Sequence, residues 1–155
     1  MGLSSGLAPL RRFLSDRTAA GAVEFAFLTP ILLMMILLTL DLGLGGYRQM
    51  QVQSAAQAGA EYAVVNGFDK SRILAAVTSA TPNANISASP DPAQFCACAG
   101  SSGLVQSSCG ATCGSGRKAG TYASVFTTTT YRAIIFYPGL SDSYVLSGQA
   151  TVRLQ

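Results

Sequence analysis

The stretch AAGAVEFAFLTPILLMMILLTLDLG, residues 19–43, places a carboxylate, Glu24, near the start of an otherwise apolar run. From Ala22 to Leu40 only Glu24, Thr29, Pro30 and Thr39 interrupt apolar or small residues. About 19 helical residues at ~1.5 Å each span roughly 28 Å, enough to cross a bilayer core. A cleavable secretory signal has a shorter apolar region ending at a small-residue site, whereas this run continues into DLGLGGYRQM without such an exit. The apolar segment is therefore expected to stay with the mature protein.

Flanking charge orients it. Arg11, Arg12 and Arg17 precede the run and Arg48 follows it, so the positive-inside rule places the N-terminus in the cytoplasm and everything beyond about residue 45 outside. Pro30 lacks an amide hydrogen and clashes with the carbonyl four residues back, which reads either as a harmless kink or as a hinge. For Glu24 two readings stand. A carboxylate at the centre of a membrane helix costs on the order of 2.5–3.5 kcal/mol, which calls for a partner; near the helix start it can instead snorkel to the interface.

Composition narrows the function. Of 155 residues 49% are hydrophobic and 11% charged, with the apolar residues concentrated between Ala19 and Leu44, as in a small domain with an attached anchor. Histidine is absent, which removes His-based acid–base and nucleophile-activating chemistry. The seven acidic residues lie far apart without a catalytic spacing, so an enzyme is not expected, nor a small-molecule substrate or cofactor. A net charge of +3 with scattered carriers and no aromatic–basic interleaving argues against nucleic acid.

After the span, YRQMQVQSAAQAGAEYAVVNG sets Val52, Ala55, Ala56, Gly59, Ala60 and Ala63 at helical spacing. Gly43, Gly45 and Gly46 weaken the helix between. The small-residue stripe allows close approach of another element, either within this domain or in a second subunit. Asn66-Gly67 stops the helix. A second helix is predicted from Asp69, as N-cap, to just before Pro82. The composition then shifts to Asn, Ser, Pro, Gly and Cys: TPNANISASPDP holds at most one short strand, and 99–120 reads as mostly loop. TYASVFTTTTYRAIIF and SYVLSGQATVRLQ read as strands joined through the turn YPGL at 137–140. In the last strand Leu146, Gly148, Ala150, Val152 and Leu154 alternate with polar residues, so one face is buried and the other wet. The expected fold class is α+β: a long N-terminal helix packed on a small antiparallel sheet, with a Cys-rich loop.

Cys96, Cys98, Cys109 and Cys113 form a C-x-C-x10-C-x3-C window. A four-thiolate zinc site prefers pairs such as C-x2-C, which this spacing only approaches. Two disulfides suit an exported location and would staple a Gly/Ser-rich segment with little core of its own. Disulfides are favoured and no metal is expected. Four cysteines allow three pairings; a Cys96–Cys98 link is disfavoured because it closes a small strained ring.

RTAAGAVEFAFLTPILLMMILL, residues 17–38, resembles the processing site and hydrophobic segment of type IV pilin-like precursors, most closely the TadE-like pseudopilins (minor pilins) of the tight-adherence, or Tad/Flp, type IVb pilus system. Glu24-Phe25 matches the family's Glu-Phe or Glu-Tyr pair at mature positions five and six. Counting back implies a cut between Ala19 and Ala20; where the family has Gly before the cut, this chain has Ala19. FLTP, TLDLG, QMQVQSAAQAGAEYAVVNG and the run from Tyr122 to Gln155 look like the family's continuation. The resemblance implies a basic leader at 1–19, a transmembrane segment at 20–45 and an extracytoplasmic α+β domain at 46–155. It implies a single-pass protein of the bacterial inner membrane, cytoplasmic at its N-terminus and periplasmic at its C-terminal domain, with pilus association open. Its implied partners are a prepilin peptidase, other pilins and Tad assembly proteins. Glu24 would pair with the new N-terminal amine of a neighbouring subunit, with Phe25 beside it in the assembly motif. A long exported domain fits a minor pilin better than a major one, since major Flp pilins are shorter and mostly helix. The alternative is a membrane-tethered binding module whose apolar segment is a plain signal anchor.

Overall fold

Helix α1 spans Ala20–Asn66. A computed structural model describes residues 20–83, 85–101, 103–134 and 141–154; the expected leader at 1–19, the expected turn at 137–140 and Gln155 lie outside the described residues. The chain divides into two compact units between Leu42 and Gly43.

In the first unit α1 is built from Leu, Met, Ala, Ile and Phe. Pro30 is accommodated within it, and the Thr29 hydroxyl donates to the Phe25 carbonyl at 2.7 Å. Thr39 donates likewise to the Met35 carbonyl at 2.8 Å. Both hydroxyls are thereby satisfied inside the helix, which an apolar solvent demands.

The second unit begins with the remainder of α1, which runs through Gly43, Gly45 and Gly46 without a break. The propensity cost of those glycines, about 1 kcal/mol each relative to alanine, is outweighed by packing further along. Val52, Ala55, Ala56, Ala60 and Ala63 are all buried. A Cβ on Gly59 would lie 2.6 Å from Val77 Cγ2 and 3.1 Å from Val125 Cγ1. The stripe thus serves packing within the domain. The helix ends at Asn66, and Gly67 follows with φ +84, a left-handed conformation that glycine adopts without a Cβ clash.

Asp69 caps helix α2 (Lys70–Ser79). Its carboxylate accepts from the Ser71 amide at 3.0 Å, the Ser71 hydroxyl at 2.7 Å and the Arg72 amide at 3.2 Å. The Ser71 hydroxyl first, then the Arg72 amide, hold this carboxyl below the usual range. One turn apart on the inner face, Ile73 and Val77 are fully buried.

The sheet comprises β1 (Ser87–Ala88), β2 (Ala93–Gly100), β3 (Gly103–Gln106), β4 (Gly120–Arg132) and β5 (Ser143–Arg153), all neighbours antiparallel. The 13-residue β4 is central. β5 pairs along one edge from Tyr122 to Arg132; β1 and β2 share the other edge end to end, and β3 hangs on β2. Ala123, Val125 and Thr127 on β4 and Leu146, Gly148, Ala150 and Val152 on β5 face the helices. With Val52, Ile73, Val77 and Ile86 they form one core between two layers. The alternation expected along β5 is present. The hairpin β2–β3 was not singled out in the sequence: 99–120 reads as mostly loop, while the structure places the end of β2 and all of β3 within that stretch.

The outer edge of β5 is closed in an unusual way. Gln53 on α1 donates from Nε2 to the Gln149 carbonyl at 2.9 Å and accepts from the Gln149 amide at 3.3 Å. Gln49, one turn earlier, donates to the Ser147 carbonyl at 2.8 Å. A primary amide offering both a donor and an acceptor to one residue reproduces what a neighbouring strand would offer. The helix thus stands in for a sixth strand along part of this edge, where unpaired backbone would otherwise invite intermolecular pairing. Gln53→Ala is expected to lower stability by about 1 kcal/mol and to speed amide exchange at Gln149, measured by hydrogen-exchange NMR. Unchanged exchange there would show that the clamp does not hold the edge.

Candidate functional site

Three groups of residues carry the functional reading: the start of α1, the apolar length of α1, and the four cysteines.

Of the expected processing pair, Ala19 lies outside the described residues and Ala20 is the first residue of α1. Glu24 and Phe25 sit in the second helical turn, both exposed, Phe25 at 65%. Glu24 stands four positions after Ala20 in the helix, about 6 Å further along its axis.

From Gly21 to Leu40 the side chains are exposed all round the helix, Thr29 alone being half-covered. The core helix of a water-soluble protein is amphipathic or hidden; here Phe27, Ile31, Met34, Met35 and Leu38 occupy every side and none is covered. Among the described residues this is the one helix long and apolar enough to cross a membrane. It fits a single-pass membrane anchor.

The cysteines are organised by β2. Cys96 and Cys98 are two apart on a strand, so both thiols leave the same face. The segment 107–119 crosses that face and brings Cys109 to Cys96 and Cys113 to Cys98, with Cα–Cα separations of 5.1 and 5.6 Å, within the disulfide range. The four sulfurs form two such pairs rather than a four-thiolate cluster. The segment also holds itself: the Cys113 amide donates to the Arg117 carbonyl at 2.7 Å and the Ala119 amide to the Ala111 carbonyl at 2.9 Å. Thr112 and Lys118 form a β-bridge. The expected loop is therefore a small cross-linked hairpin. Its sequence signal was the C-x-C spacing itself, which is strand periodicity as much as a cross-link pattern.

Two sets of residues were not singled out in the sequence. Gln49 and Gln53 were passed over because their partners lie almost a hundred residues away. Arg117, Lys118 and Arg153 converge on a cleft only once the sheet is formed.

An all-round apolar helix that fits a single-pass membrane anchor, a small-residue helical stripe on an antiparallel sheet and a cross-linked hairpin define an α+β protein. Residues 19–61 match the family model of TadE-like proteins. The match takes in the Glu24-Phe25 pair, the apolar helix and most of the small-residue stripe, so over this segment the resemblance read from the sequence is borne out. The matched segment is 43 of the 155 residues, and over it the chain is similar to TadE-like proteins. Comparison with curated proteins returned no match, and comparison with solved structures returned none.

Proposed function

We propose that this chain is a minor pilin, or pseudopilin, cut between Ala19 and Ala20 by a prepilin peptidase, that acts in assembly or initiation of a Flp/Tad adhesion pilus. It sits in the bacterial inner membrane with its N-terminus cytoplasmic and residues 46–155 periplasmic. The observation that carries the reading is the TadE-like match over 19–61, within which a single carboxylate stands at the start of an uncovered apolar helix.

The physical role of Glu24 follows from that position. A lipid-exposed carboxylate is stable as an ion only beside a cation, and cutting before Ala20 creates an α-ammonium where none existed. In an array of parallel helices the amine of one subunit meets Glu24 of the next, so uncut chains lack the partner and cut chains gain it. Disulfides Cys96–Cys109 and Cys98–Cys113 suit the periplasm, and the sheet domain contacts other minor pilins. The role is structural rather than enzymatic.

Two measurements test this. N-terminal peptide mass spectrometry of membrane-extracted protein should find a mature start at Ala20 that disappears in cells lacking the peptidase; an intact leader in both strains would eliminate the pathway. Glu24→Ala should leave that cut in place while reducing recovery of the chain with other pilus subunits, by on the order of tenfold or more given the cost of an unpaired ionic group in lipid. Normal recovery of the variant would remove Glu24 from assembly.

A further inference from the structure

β1 is two residues long and pairs with β4 only at Thr127 and Thr128, so β4 runs on to Arg132 with that edge uncovered. Strand alternation shows what the edge offers. The Phe126 carbonyl accepts from the Ser89 amide on the β1 side, while the Ala133 amide donates to the Asp142 carbonyl on the β5 side. Thr130 and Arg132 share the parity of Phe126, so their backbone groups point away from β5 into the gap beyond β1. A cleft of about 290 Å³ occupies this gap, lined also by Arg48 from α1 and by Asn83 and Asn85.

The chemistry is that of an anion site. Two guanidiniums, two carboxamides and the Thr130 hydroxyl can all donate. Arg48 gives one N–H to Gln51 Oε1 at 3.0 Å and keeps the rest of its fork. Among the described residues neither guanidinium is in an ion pair and no carboxylate lines the cleft. Asp142 lies across β4 on the β5 side, and Asp41 is buried and engaged. Two cations around one concavity concentrate positive potential where an anion would sit. Position then selects the anion. A Cβ on Gly45 would lie 3.7 Å from the Tyr131 ring, so the cleft end of β4 packs on α1 only three residues after Leu42, the last residue of the first unit. Three residues of chain reach at most about 11 Å. Tyr47, beside Arg48, and Tyr144, opposite Tyr131, are both exposed, and tyrosine is enriched at the membrane–water interface.

We propose that this cleft holds the phosphate of an anionic bilayer lipid, so that the sheet domain docks on the membrane its anchor crosses. A guanidinium fork matches two phosphate oxygens, and basic groups beside a span attract anionic headgroups. The inference rests on reading α1 as a membrane anchor, and not on cleavage before Ala20 or on a pilus.

The test places the ¹⁵N-labelled full chain in nanodiscs of phosphatidylcholine alone or mixed equally with phosphatidylglycerol, each carrying a headgroup spin-labelled lipid, and reads amide relaxation by NMR. Enhancement at Thr130 and Arg132 should be larger by about fivefold or more in the phosphatidylglycerol discs. Arg48→Gln with Arg132→Gln should remove that difference with an unchanged far-UV spectrum, whereas Arg117→Gln with Lys118→Gln, an equal loss of charge at the hairpin, should leave it intact. Equal enhancement in the two discs, or an undiminished difference in the Arg48 and Arg132 variant, would overturn the proposal with the anchor intact. Saturable shifts at these amides with inorganic phosphate, independent of the disc lipid, would assign the cleft to a free ion and overturn it as well. A chain that does not enter discs at all would remove the anchor reading, and this inference with it.

Discussion

Gly148→Val is expected to unfold or gravely weaken the sheet domain. A Cβ at this position would lie 2.9 Å from Thr127 Oγ1, 2.9 Å from the Val52 carbonyl oxygen and 3.0 Å from Gln53 Cα. Two of these neighbours are backbone of α1 and cannot rotate aside, so strand and helix must separate. Separation also strains the buried bond from the Thr127 hydroxyl to the Val52 carbonyl, 2.8 Å, and the Gln53–Gln149 clamp. Overpacking costs ~1–3 kcal/mol, and the buried Thr127 hydroxyl parted from the Val52 carbonyl about 1–3 kcal/mol more. The sum is a large share of the 5–15 kcal/mol that keeps a typical domain folded. Thermal unfolding followed by circular dichroism in micelles should show a midpoint lowered by on the order of 20 °C, or no cooperative transition. Gly148→Ala should show the same effect in reduced form. Gly59→Ala should cost less, because the atoms it would meet are side-chain methyls of Val77, Val125 and Ile73, which can yield slightly. Wild-type melting of Gly148→Ala would mean that β5 does not seat on α1 at this point.

Reduction of the two bridges is the second large effect. They close segments with sequence separations of 13 and 15, and a loop of about 15 residues contributes about 3 kcal/mol through the unfolded chain. Because 96–109 and 98–113 interleave, the two contributions are not independent, and the joint loss should fall short of their sum. The loss should also be local. Residues 107–119 include no buried side chain, so little besides the cross-links and a few backbone bonds orders them. Hydrogen-exchange mass spectrometry with and without reductant should show loss of protection at Cys113 and Ala119, while α2, β4 and β5 keep theirs. Retained protection across 107–119 after reduction would show that the hairpin stands without its bridges.

Much of this molecule was legible from local chemistry. Hydropathy and length marked the apolar helix; the spacing of Val52, Ala55, Ala56, Gly59, Ala60 and Ala63 marked its buried stripe. Asp69 announced α2 because a cap needs only the two or three residues that follow it. β4 and β5 were readable because β-branched and alternating side chains report a half-buried strand within a few residues. The Glu24-Phe25 pair and its setting carried the TadE-like resemblance that the family match over 19–61 bears out.

What only the tertiary structure decided is everything that depends on register. β2 was hidden because FCACAG is short, small and cysteine-bearing, and its strand character appears only in pairing with β3 and β4. Cysteine partners follow from the path of 107–119 across β2, which no spacing rule contains. The bonds from Gln49 and Gln53 to Ser147 and Gln149 join positions 98 and 96 residues apart, and the Arg117, Lys118 and Arg153 cleft exists only where Gly120 and Ala97 come opposite each other. The sequence by itself determined the periodicities, the caps and the anchor, since each is written in neighbours along the chain. The pairings, the edge clamp and the cleft were left to the folded state, since their energies arise between residues that become neighbours only there.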